Sequence, residues 1–121
     1  MKDWRAVQAR FMRDPLPVRL GGLAADLARI GSAGATPANA SAVQLLLDEA
    51  RRFIEWTAAE TAPDVAAQLV DMQVALTLWL KTWPNVNADA VQRALLAHQA
   101  QCWAEPVLAA SGLLDEAARG D

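Results

Sequence analysis

Tyrosine is absent from this chain of 121 residues, and cysteine and histidine occur once each. The single cysteine, Cys102, excludes an internal disulfide and fits a reducing compartment. Runs alternating Val, Ile, Thr and Tyr with polar residues are missing, which removes the signal for β-strands. Long hydrophobic runs are missing too. The longest, "VALTLWL" between Gln73 and Lys81, is far short of the ~20 residues that a membrane span needs. The N-terminus "MKDWRAVQARF" lacks the apolar core of a secretory signal. These absences lead us to expect a cytoplasmic protein, and the alanine- and arginine-rich composition suggests a bacterial one.

A basic excess is also lacking. The net charge is −3, so the electrostatic footprint of a nucleic-acid binder is not there. No glycine-rich phosphate loop, nucleophile elbow or pair of catalytic carboxylates on a known scaffold is present. The expectation is a protein that is not an enzyme and needs no cofactor.

What is there is apolar and helical. Hydrophobic residues make up 54% of the chain, and a chain of this size can bury roughly two thirds of its unfolded surface without a metal or disulfide staple. We read residues 1–114 as one domain and 115–121, "DEAARGD", as a frayed tail with little to bury. Charge is unevenly spread: residues 1–52 carry eight basic and five acidic side chains, residues 53–121 three and nine.

Breakers fall at Asp14-Pro15, from Gly31 to Pro37, at Pro63 and at Pro84. They divide the chain into one short helix, Asp3 to Arg13, and four longer ones. The first long helix starts near Pro15, with Asp14 as cap and Gly31 as its C-terminal stop. The next runs from Ala40 to Thr61. The third opens at "TAPD", with Thr61 as cap and Asp64 at the positive end of the helix dipole, and stops at Trp83. The last begins after Asn85 or Asn87 and ends at Ser111, where Gly112 suits a Schellman stop with Leu113 folding back on Leu108.

Each long helix has an apolar seam at steps of three and four. These are Leu16, Leu20, Leu23, Leu27 and Ile30; Val43, Leu46, Leu47, Ala50, Ile54 and Thr57; Val65, Leu69, Met72, Leu76, Trp79 and Trp83; and Val91, Leu95, His98 and Cys102. Four such helices with short connections point to an all-α fold, an antiparallel four-helix bundle with a short extra N-terminal helix.

Second apolar faces are the more informative feature. Gly21 and Gly22 lie off their helix's seam with Val18, Ala25 and Ala28. Each glycine costs about 0.8–1 kcal/mol relative to alanine inside a helix. A flat stripe of this kind is useful where another helix approaches closely, whether the N-terminal helix or one from a second subunit; the plainer reading is a helix loosened near its start. Val70, Val74 and Leu78, with Ala67, lie opposite the seam of the third long helix. Trp56 and Trp103 also lie off their seams, and aromatic residues are enriched at interfaces. There is more apolar helix exterior than one short helix can cover. We therefore expect a non-catalytic interaction or accessory protein, a homodimer or the binder of another protein, with contact residues Gly21, Gly22, Ala25, Val70, Val74, Leu78, Trp56 and Trp103.

"HQAQCWAE" (98–105) is the one stretch that resembles a chemical site. His98, Cys102 and Glu105 share a helix face, and all three are zinc-ligand types. A structural role ranks first, with Cys102 as a small buried hydrophobe and His98 hydrogen-bonded at a seam edge. The alternative is a bundle that binds a small apolar ligand, cofactor or metal in its core near His98 and Cys102. Arg51 and Arg52 read as a solvated face paired with Glu49 and Glu55.

"RDPLPVRLGGLAADLARI", "FIEWTA" and the tryptophan-rich last third together resemble a group of small uncharacterised all-helical proteins of cyanobacteria. The resemblance implies a bacterial, cytoplasmic, helical protein and brings no activity, ligand or site residue with it.

Overall fold

A computed structural model describes residues 2–114. Within them the chain is all helical, with no strand among the described residues: α1 Trp4–Phe11, α2 Leu16–Ala33, α3 Ala40–Thr57, α4 Pro63–Lys81, α5 Trp83–Ala88 and α6 Ala90–Ser111. Short 3-10 turns, Pro37–Asn39 and Ala58–Glu60, lead into α3 and out of it. The expected frayed tail, 115–121, lies outside the described residues.

Local chemistry sets the boundaries. The Asp3 carboxylate accepts the amide N–H of Arg5 and Ala6 at 3.1 and 3.3 Å and caps α1. Asp89 does the same for α6, accepting from Val91 at 2.8 Å and Gln92 at 3.4 Å. Two expected caps are corrected. Pro15, not Asp14, precedes α2 and offers no side-chain bond. Ala62, not Thr61, precedes α4, and the Thr61 hydroxyl instead donates to the Ala58 carbonyl at 2.7 Å. Pro84 does not end ordered structure after α4; it sits in the first turn of α5, where its missing N–H is harmless. Gly112, at φ 76°, closes α6 in the left-handed conformation that glycine adopts without strain.

α2 is the central element. It packs between α3 and α6, α3 continues onto α4, and α5 rests on α6. The core follows the seams of α2, α3 and α4: Leu23, Leu27, Ile30, Val43, Leu47, Ile54, Leu69 and Leu76 are all buried. α1 lies on α3. Phe11 stacks on Phe53 with ring centroids 3.9 Å apart, and the Arg52 guanidinium lies 4.3 Å from the Trp4 ring centroid, a cation–π contact.

The seam expected for the last helix is corrected. Val91, Leu95, His98 and Cys102 are exposed, and Leu96, Ala97, Ala100, Ala104 and Val107 are buried. Small residues decide this. Ala24, Ala25, Ala28 and Gly31 of α2 face Gln101 and Ala104 of α6, and such side chains let two helix backbones come close. Gly31 is therefore not a helix stop. It lies inside α2, and a Cβ built there would sit 2.6 Å from Gln101 Oε1 and 3.3 Å from Gln101 Cα. α2 runs on to Ala33.

Candidate functional site

α4 has two apolar faces. Leu69, Met72 and Leu76 point into the core, and Val70, Val74 and Leu78 point away from it at 47, 57 and 56% exposure. The outward three follow steps of four on one side of the helix, with Ala67 a turn earlier and also exposed. Leu45 of α3 is exposed as well, in a groove shared with Leu80 of α4. α6 adds Val91 at 67% and Leu95 at 63%. Among the described residues no neighbouring element covers the outward stripe of α4, because α3 and α6 approach that helix from its flanks. Gln73 reaches the Arg51 carbonyl of α3 on one side, and Trp79 meets Trp103 of α6 on the other, ring centroids 5.5 Å apart.

The remaining candidate contact residues are used within the chain. Gly21 is met by Leu113: a Cβ there would lie 2.7 Å from Leu113 Cδ1. Gly22 faces Phe11 of α1. Ala25 shares with Gly21, Ala28, Gln101 and Leu108 a shallow groove of ≈ 290 Å³ between α2 and α6. Trp56 packs against Phe11 and Phe53, with centroids at 5.8 and 6.0 Å, and Trp103 packs against Trp79. Gly21, Gly22, Ala25 and both tryptophans are thus partly buried in one copy, whereas Val70, Val74 and Leu78 are exposed.

His98 Nε2 and Cys102 Sγ are 3.6 Å apart. Both residues are exposed, which corrects the reading of Cys102 as a buried hydrophobe and takes the pair out of the core. Glu105 does not join them: no three His, Cys, Asp or Glu side chains gather as metal ligands among the described residues.

Sequence reasoning missed two buried charges. Arg19 makes a two-pronged ion pair with Glu60, at 2.8 and 2.9 Å, and its Nε donates to the Asp14 carbonyl at 3.0 Å. The hydrogen bond from Arg19 holds the Glu60 carboxyl below its usual range. Asp26, 1% exposed, lies in the α2–α3 interface. Burial, then hydrogen bonding to Glu49, pushes its carboxyl up to about 8. Arg29 donates to Asp26 Oδ1 at 3.0 Å, and Lys2 pairs with Glu49 at 3.0 Å. The signal was available: Arg19, Leu23, Asp26 and Ile30 follow steps of four, three and four, so both charges share the inner side of α2 with the leucines. Arg51 and Arg52 pair with Asp48 rather than with Glu49 and Glu55.

Comparison with known proteins finds no match to this chain among family models, curated sequences or solved structures. No helix among the described residues is long and apolar enough to cross a membrane.

Proposed function

We propose that this protein is a non-catalytic helical interaction protein of the bacterial cytoplasm, and that it works as a homodimer joined through the outward face of α4. In this reading α2, α3, α4 and α6 make an antiparallel four-helix bundle, with α1 laid on α3 and α5 serving as the link between α4 and α6. The observation that carries it is the exposed run Val70, Val74 and Leu78. A helix that is apolar on opposite sides is stable in water only when both sides are covered. A second copy offers the same stripe, so a two-fold axis across α4 sets valine and leucine against valine and leucine.

Replacing Val74 and Leu78 by aspartate tests this without disturbing the core, because both side chains are more than half exposed. Sedimentation of the native chain at micromolar concentration should give twice the chain mass, and the double variant the single mass with unchanged helical circular dichroism. A native chain that is monomeric under those conditions defeats the reading.

A further inference from the structure

We propose that His98 and Cys102 on the outer side of α6 are half of a zinc site, completed by the same two residues of a second copy.

The argument begins with a distance. Zinc holds a thiolate at about 2.3 Å and an imidazole nitrogen at about 2.0–2.1 Å, and tetrahedral angles then place the two ligand atoms about 3.6 Å apart. His98 Nε2 and Cys102 Sγ are 3.6 Å apart. One helical turn separates the residues, so no backbone rearrangement is needed to present both atoms to one ion. Both are exposed to an arriving metal.

The second step is a count. A structural zinc site takes four protein ligands. The chain holds one histidine and one cysteine, and the described residues bring no acidic side chain to the pair as a third ligand. A single copy therefore offers two soft ligands, and a second copy is the source that doubles them in kind, giving Cys2His2. Val91 and Leu95, the most exposed large apolar side chains of α6 at 67 and 63%, lie on the same outer face two turns and one turn before His98, respectively. In a two-fold pairing of α6 with α6 they would cover one another and keep water from the ion. Binding replaces the proton of each thiol by the metal, so two protons leave for each zinc bound and no oxidant or reductant takes part.

This inference rests on the proposed self-association only in taking a second copy as the partner; it uses α6, whereas the homodimer uses α4. The experiment keeps the two apart. The Val74→Asp/Leu78→Asp chain is titrated with cobalt under a non-thiol reductant, which excludes a Cys102 disulfide. Uptake should saturate at one cobalt per two chains, with the intense visible absorption of a tetrahedral thiolate site. Zinc should double the sedimenting mass, and EDTA should reverse the doubling. His98→Ala and Cys102→Ser should each abolish uptake and doubling, leaving the circular dichroism unchanged because both positions are exposed. Saturation at one metal per chain, no uptake at tens of micromolar metal, or uptake without a change of mass would overturn the zinc site and leave the α4 dimer standing. Conversely, an α4 variant that stays dimeric in EDTA removes the α4 reading, while the metal stoichiometry still decides the site on α6.

Discussion

At the scale of single residues, Asp26 departs furthest from ordinary surface chemistry. Its carboxyl is almost wholly buried, and its Oδ1 accepts the hydrogen bond of Arg29 at 3.0 Å. Glu49 lies across from it on α3, Arg29 on its own helix, and Lys2 reaches in from ahead of α1 to bind Glu49. Burial and the neighbouring carboxylate both favour the protonated form, raising its value from 3.8 in the open chain to about 8 in the fold. The folded state therefore holds a proton that the unfolded state has lost across that interval. Asp26's contribution is complete below about pH 4, falls as pH rises, and is exhausted once pH passes about 8. Glu60 and Asp89, whose carboxyls are held low, act in the opposite sense below their ordinary range. The native protein should melt several degrees lower at pH 8 than at pH 5.5, and Asp26→Asn, which keeps the shape and cannot ionise, should lose most of that difference in thermal unfolding. Arg19 supplies a second test. Glu60→Ala strands a buried guanidinium and should lower the melting temperature more than Arg19→Met, which removes the buried charge and keeps an apolar stem.

At the scale of elements, the spacing of helices is set by where side chains are absent. Gly22 and Gly31 occupy the same helix and have opposite reasons to be glycine. A Cβ at Gly22 would find its nearest neighbour, Phe11 Cε1, at 3.9 Å, an ordinary contact. Gly22→Ala should therefore raise stability by about 0.5–1 kcal/mol, the usual gain in helix propensity and chain entropy. At Gly31 the new methyl would press on the Gln101 side chain and backbone. Gly31→Ala should cost about 1–3 kcal/mol, as overpacking does, despite the better helix former. Denaturant midpoints of the two variants, moving in opposite directions, would check this. The same pair shows what the sequence made legible. In α2 and α3 the large side chains follow one seam, and Leu20, Leu23, Leu27, Ile30, Val43, Leu47, Ala50, Ile54 and Thr57 are buried where the spacing places them. α6 has apolar residues all round, so Val91-Leu95 and Leu96-Val107 are equally periodic. Packing against the small face of α2 decides between them, and that is a relation between helices no single window contains. Gly31 misleads for a related reason: beside Ser and Pro it has the composition of a helix stop, while close approach of α6 keeps it inside the helix. α5 was hidden because Pro84 begins a helix there rather than ending one.

At the scale of the whole molecule, the structure accounts for some of the surplus apolar surface and leaves the rest in view. Had α1 covered α4, no partner would be needed; its aromatic residues go instead to Phe53 and the flank of Arg52 on α3. The small face of α2 is met by α6, by Leu113 and, at Gly22, by Phe11 of α1, with Val18 left exposed. Most of what is left lies on α3, α4 and α6, and its chemistry sets the character of any association. Valine and leucine stripes give contacts that salt screens little, unlike the weak surface attraction expected between a basic N-terminal half and an acidic C-terminal half. This separates two origins of a dimer. If the α4 stripe joins two copies, folding and association are linked: raising the chain concentration a hundredfold adds up to about 2.7 kcal/mol to the folded side. The melting temperature should then climb by a few degrees between about 1 and 100 μM chain, and the climb should survive 0.5 M salt. In the Val74→Asp/Leu78→Asp chain the melting temperature should be independent of concentration. A climb in the native protein that salt abolishes would assign the association to the charge asymmetry and not to α4.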